Sequence, residues 1–480
     1  MNKLIFITLI TILLISCSNQ TVDVEKSENS NETEANEIIT EPEIFKYLPI
    51  NSDFGGYEFT VITRGDEAHA YAHHTRDIFA EKETGEPIND AVYLRNMIVE
   101  EMFNVKIVMI QLPEDDENRP NAAVQKAFLA GDDIYDLLLT HQILGGTTAL
   151  NGYLKNWETV PYVDLSKPWW DQNARYNLSV GNKLFLALSD FSITSNDRIN
   201  MILFNKQLKE NYKVENLYDV VTAGKWTFDK LYEVSKDVKE DINGDGVMDE
   251  NDLYGFSVAG WETGLFYCAG NTITKKDADN IPYLDMLTER AVSTYEKSFA
   301  LCTADSTYHK TKDIELMFKE NRALILLTSL EGLNQYRAME VDFGIIPSPK
   351  LDEAQEKYYA YFSGHASMMG VPAAVQETET VGAVIEALSY YSTVYLLPAY
   401  YDVTLKTKFT RDAESEVMLD LIKDARVFDF GFMYDNWIIA LQFYTLLSAE
   451  RSDFVSTIEK NLPASQKNLD NVLATYAQTN

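Results

Sequence analysis

Two hydrophobic rhythms alternate along this chain. Gly56 to Thr63 (GYEFTVIT) places apolar side chains at every second position, the pattern of a half-buried strand, and stops at Arg64, Gly65 and Asp66, which reads as a strand-to-helix loop. From Gly85 to Val105 the period lengthens. Val92, Met97, Val99 and Phe103 then follow a helical spacing, with Asn89 and Asp90 as candidate caps. Val105 to Gln111 is a second strand, Asn121 to Ala130 a short helix, and Ile134 to Thr140 (IYDLLLT) a third, buried strand. Strand, helix, strand, helix, strand is the grammar of an open α/β sheet. Ligands of such sheets sit beyond the carboxyl ends of the strands. Arg64 and Asp66 after the first strand, and His141 and Gln142 after the third, are therefore candidates to line a cleft, although ordinary loop positions would look the same.

Further on, Arg198 to Asn205 (RINMILFN), Tyr254 to Gly260, Ala323 to Leu330 and Ser363 to Pro372 read as strands. Helices are expected from about Asp313 to Lys319, from Thr378 to Ser392 and from Asp412 to Ala425, the last with Val417, Met418, Leu421 and Ile422 on one face.

The ends of the chain change the picture. Lys3 and the apolar run Leu4 to Ile15 are too short to span a bilayer and suit a signal peptide over 1–16. The run ends in Leu14, Ile15, Ser16, Cys17, which resembles a bacterial lipobox and implies a lipid on Cys17. From there to about residue 50 the composition is that of a tether, with eight acidic residues between Asp23 and Glu43 against Lys26 alone. The whole chain carries 41 Lys and Arg against 74 Asp and Glu, a formal charge of −33. That argues against nucleic acid as a partner. Beyond Cys17 only Cys268 and Cys302 remain, enough for one disulfide at most.

One acidic loop stands out. Taking Asp241 as position 1, Asn243, Asp245, the Val247 carbonyl, Asp249 and Asp252 fill positions 3, 5, 7, 9 and 12 of an EF-hand calcium loop, with Gly246 at the turn. Asp in place of Glu at position 12 points to moderate affinity, and a solvated Asp/Asn/Gly turn is the plain alternative. With GKWTFDKL before it and LYGF after it, this stretch resembles extracellular family 1 solute-binding proteins, the sugar-capturing lipoproteins of bacterial ABC importers. GEPINDAVYLRNMIVEEMFNVKIV, PWWD, DFGIIPSP and PAYYDVTLKTKFTRDAESEVMLDLI resemble the same family. The resemblance implies a two-lobed, type II periplasmic-binding-protein-like α/β fold, each lobe a mixed sheet flanked by helices and joined by a hinge. It places the first lobe at 51–197 plus about 345–395 and the second at 198–344 plus about 396–480. It implies a structural calcium, a monomer, a carbohydrate ligand and a membrane permease as partner.

A sugar ring stacks its C–H face on indole while carboxylates and amides hold its hydroxyls. Trp169, Trp170, Trp226 and Trp261 are the stacking candidates, and Asp171, Asp190, Asn196, Arg198 and Tyr400 the polar ones. One of Trp169 and Trp170 is expected to pack rather than bind. Trp226, ahead of a helix, suits a core equally well, and so does the Tyr400–Tyr401 pair. No GxSxG, HExxH, CxxC or phosphate loop is present, and His69 and His73 lack an evident third metal partner. The expectation is a lipid-anchored extracytoplasmic binder of an oligosaccharide, not an enzyme. A glycan-sensing surface lipoprotein and, further off, a glycan-acting enzyme are the alternatives.

Overall fold

A computed structural model describes residues 43–49, 52–64, 76–112, 118–310, 313–336, 339–435 and 437–478. The signal segment, Cys17 and most of the acidic tether lie outside the described residues, as do Asp66, His69 and His73.

The first sheet is built on β1 (Tyr57–Arg64), which pairs in parallel with β2 (Val105–Leu112) on one side and β3 (Leu137–His141) on the other. β13 (Ser367–Gly370) returns antiparallel along β3, with Ser367 opposite His141. β3 starts three residues later than its apolar run. The cause is Asp136, whose carboxylate accepts from the Thr60 amide at 2.7 Å and the Tyr57 hydroxyl at 2.6 Å. A side chain there occupies the amide that a longer strand would otherwise pair.

Pro87–Phe103 is the predicted long helix, but its cap differs from expectation. Glu86 accepts from the Asn89 amide, and Pro87 occupies the first turn, where its missing N–H costs nothing. Asn89 donates to the Lys82 carbonyl and Asp90 accepts from the amides of Thr84 and Gly85, so both candidates hold the incoming loop instead.

The second sheet runs β11–β4–β10–β6–β5. β4 (Asn200–Asn205) is antiparallel to β10 (Ala323–Ser329) and to β11 (Phe343–Ile346). β6 (Leu253–Ser257) lies parallel to β10 and to β9 (Thr307–Tyr308), and antiparallel to the short β5 (Lys239–Glu240). Two small pairs complete the set: β7 (Thr274–Lys276) with β8 (Pro282–Leu284), and β12 (Ala360–Tyr361) with β14 (Arg426–Val427). The sheet centres are buried on both faces, which explains why β4 and β10 read as continuous apolar runs.

Chain crossings tie the sheets together. Ile199 bridges Phe362, the Ser363 amide donates to the Arg198 carbonyl, and the Gln142 side chain donates to the Ser363 carbonyl at 3.0 Å. The carboxyl edge of the first sheet thus meets the start of β4 through a few shared hydrogen bonds.

Four predicted binding residues turn out to be part of this scaffold. Trp169 and Trp170 direct their indole N–H groups at one carboxylate, Glu386, at 3.0 and 2.9 Å, and Tyr47 donates to it as well at 2.6 Å. Trp170 packs edge-on against Trp157, and Trp169 against Tyr390. Both indoles are buried, so neither offers a flat face to a sugar in this conformation. Trp226 is fully buried with its N–H on the Pro347 carbonyl. Tyr400 is buried too, donating to Asp197, which also pairs with Arg76.

Burial pushes the Glu386 carboxyl up to about 7, even though three hydrogen-bond donors favour its charged form. The unfolded chain releases that proton near the ordinary value of about 4.3. Stability contributed through this group is therefore complete below about 4.3 and lost as pH rises through about 7. Glu386→Gln removes the titration while turning an amide N–H toward one indole, at a cost of about 1–3 kcal/mol near pH 5. Urea midpoints at pH 5 and pH 8 should show the wild type losing more stability between them than the variant; parallel losses would contradict this account.

Candidate functional site

Both sheets present side chains at the carboxyl ends of their parallel strands, the edge where open α/β sheets bind ligands. On the first sheet this edge holds Arg64 and His141. Arg64 donates to the His365 carbonyl at 2.8 Å and to the Ser367 hydroxyl at 3.0 Å. His141 caps the helix Gln142–Leu150, its Nδ1 accepting from the Ile143 amide, and its ring lies edge-on to His365 at 4.9 Å.

On the second sheet, Trp261 and Glu262 follow β6, His309 follows β9, and Glu331 follows β10. Asn200 opens the antiparallel β4 at the same edge, opposite Ser329. Arg198 reaches Glu331 at 2.6 Å, and Glu262 meets His309 at 2.8 Å. Burial raises the Glu331 carboxyl to about 7, with the Arg198 charge opposing that rise. Trp261 is partly buried, packed against the second hydrophobic cluster. An exposed indole, Trp437, lies 6.1 Å from Phe432, whose ring borders Gly364 near His141.

The predicted residues fall into three places. Arg64, His141, Arg198 and Trp261 share the strand-end edges. Trp169, Trp170, Asp171, Asp190 and Asn196 line a separate cavity of about 400 Å³, together with Arg426 and Lys423. There Arg426 bonds Asp171 at 2.8 Å and Asn196 at 2.5 Å, while burial lifts the Asp190 carboxyl to about 6 against the Thr393 hydroxyl bond. Trp226 and Tyr400 line neither place; they belong to the core. Glu262, His309, Glu331 and Trp437 went unforeseen. The signal for the first three lay in their position after a strand; Trp437, in a left-handed backbone of φ 64°, carried none.

The acidic loop Asp241–Asp252 folds around its own backbone. Asp241 accepts from the amides of Gly244 and Gly246, Asn243 from Asp245, Asp245 from Val247, and the buried Asp252 from Ile242 and Asp249. Asp249 accepts from Asn251. Among the described residues no group of three or more His, Cys, Asp or Glu side chains is arranged to hold a metal ion. Cys268 and Cys302 are buried free thiols, so the one disulfide the composition allows is not formed.

No family profile matches the sequence, and no curated protein matches it either. Solved structures do match, nearly end to end. A cyclo/maltodextrin-binding protein complexed with maltotetraose aligns at a TM-score of 0.55 and 14% identity, covering 89% of this chain and 99% of that one. An ABC substrate-binding protein from Listeria monocytogenes in complex with cycloalternan aligns at 0.54 and 13%, covering 87% and 99%. UgpB from Mycobacterium tuberculosis in complex with glycerophosphocholine aligns at 0.53 and 14%, again covering 87% and 99%. Among the described residues no helix is long and apolar enough to cross a membrane. With mixed sheets flanked by helices throughout, the chain has the two-lobed, periplasmic-binding-protein-like α/β fold.

Proposed function

We propose that this chain is a monomeric family 1 solute-binding lipoprotein, anchored outside the cytoplasmic membrane through Cys17, that captures a carbohydrate and delivers it to the permease of an ABC importer. The observation that carries the reading is the partly buried Trp261 indole that follows β6 at the second sheet's carboxyl edge, next to Glu262 in the chain. An aromatic face beside fixed carboxylate and amide groups suits a molecule with apolar C–H faces and many hydroxyls. The aligned proteins that hold maltotetraose and cycloalternan support the same ligand class. Binding, not catalysis, is the expected outcome, with lobe closure driven only by a ligand that prefers the closed form.

A thermal-shift screen over mono- and oligosaccharides tests this directly. At least one sugar should raise the melting temperature, and Trp261→Ala should weaken its binding about tenfold, the loss expected on removing one buried aromatic face. No shift with any sugar, or an unaltered affinity in the variant, would contradict the assignment. Release of reducing sugar by the pure protein would instead favour an enzyme.

Calcium in the Asp241–Asp252 loop belongs to the same reading and is supported by the order of ligand types along the sequence. Asp241, Asn243, Asp245, the Val247 carbonyl, Asp249 and Asp252 would hold it. At free calcium about 100 times the dissociation constant, binding contributes about 2.7 kcal/mol. Chelation, like Asp241→Ala, should lower the melting temperature while leaving sugar affinity nearly unchanged. Melting indifferent to both removes calcium from the account.

A further inference from the structure

We propose that Glu262, His309 and Asn200 form a hydrogen-bonding wall on the second sheet's carboxyl edge that accepts hydroxyl groups of the captured ligand. The inference rests on the carbohydrate reading and assigns that site specific residues.

The argument starts from polar atoms that the fold buries without pairing. Glu262 Oε1 lies 2.8 Å from His309 Nε2, with the two side chains 2% and 5% exposed. The other carboxylate oxygen of Glu262 and Nδ1 of His309 have no hydrogen-bond partner among the described residues. Asn200 repeats the pattern. Its amide nitrogen donates to the Thr328 carbonyl at 3.0 Å, while its fully buried oxygen is unpartnered. Leaving such groups unmade is costly, and native proteins tolerate it mainly where the groups have another use.

These atoms converge because the topology brings them to one edge. Asn200 begins β4, Glu262 follows β6 and His309 follows β9. Gly264, two residues past Glu262, comes so close to the Asn200 oxygen that a Cβ on it would sit 3.0 Å away. The Ser257 hydroxyl at the end of β6 is buried and unpartnered as well. Two acceptor oxygens, an imidazole nitrogen and one hydroxyl therefore share one edge.

The chemistry of that set selects its guest. Only two of the side chains are of the His, Cys, Asp or Glu type, and no three such groups among the described residues are placed to hold a metal. An organic molecule rich in hydrogen-bond donors fits. Trp261, directly before Glu262, supplies the flat surface on which a sugar ring would rest while its hydroxyls reach the wall.

Calorimetric titration of the full chain with maltotetraose tests the wall, comparing wild type with Glu262→Gln and Asn200→Ala. Each variant should bind about 10- to 100-fold more weakly, as expected when a hydrogen bond involving a charged or buried partner is lost. Affinities within twofold of wild type would overturn the proposal. A second measurement needs no sugar. The double variant Glu262→Leu with His309→Phe should melt no lower than wild type, since it removes unpaired buried atoms. Melting clearly below wild type would assign the pair to folding and overturn the proposal. A wild type that binds no sugar, together with a double variant that melts higher, would defeat the carbohydrate reading yet support the wall as a site for another donor-rich molecule.

Discussion

Everything that gives this molecule a site depends on a short crossing in which the backbone between Arg198 and Asn200 runs beside Phe362 and Ser363. Its hydrogen bonds reach both ways: Ser363 donates to the Arg198 carbonyl, Leu330 to the Ile199 carbonyl, and Gln142 to the Ser363 carbonyl. Through that contact the carboxyl edges of two independently built sheets are held in reach of each other. A few extended residues carry the connection, and such a crossing is where small changes in dihedral angle can rotate one sheet against the other. One hydrophobic cluster, including Phe59, Leu139 and Trp157, extends into the second sheet at Leu203, Leu326 and Phe343, while the other includes Phe204, Trp226 and Phe256.

The buried polar groups sort by how well the fold satisfies them. Glu386 is thoroughly satisfied, receiving two indoles and a phenol, and it locks the loop carrying Trp169 and Trp170 onto the helix Thr378–Tyr391. Asp429 is likewise satisfied, by the amides of Ile273 and Thr274, the Thr274 hydroxyl and Tyr267. Such networks rigidify. Glu262, His309 and Asn200 are the contrast, buried equally deeply yet only half used.

Much of the fold is legible in the sequence because its signals are local. Period-two alternation reveals β1, and unbroken apolar runs reveal β3, β4 and β10 close to their true bounds. The site is less legible, because its geometry is decided by distant partners. Trp170 looks like a stacking residue until Glu386, 216 positions later, claims its indole N–H. Tyr400 looks as much like a polar partner for a sugar as a core residue until Asp197, 203 positions earlier, accepts its hydroxyl proton. Arg64 and His141, read as following their strands, end β1 and β3 at the carboxyl edge, and Trp261, Glu262, His309 and Glu331 follow strands of the second sheet without carrying a motif.

The central claim is that two hinged sheets close around a sugar. Spin labels placed at Lys106→Cys on β2 and Lys239→Cys on β5, in a chain with Cys17→Ser, report the separation directly, since both positions are exposed and the buried Cys268 and Cys302 escape labelling. Pulsed electron–electron distance measurements across a panel of mono- and oligosaccharides should show the distribution moving to a new, narrower separation with a sugar that binds. One unchanging distribution with every sugar would contradict the account.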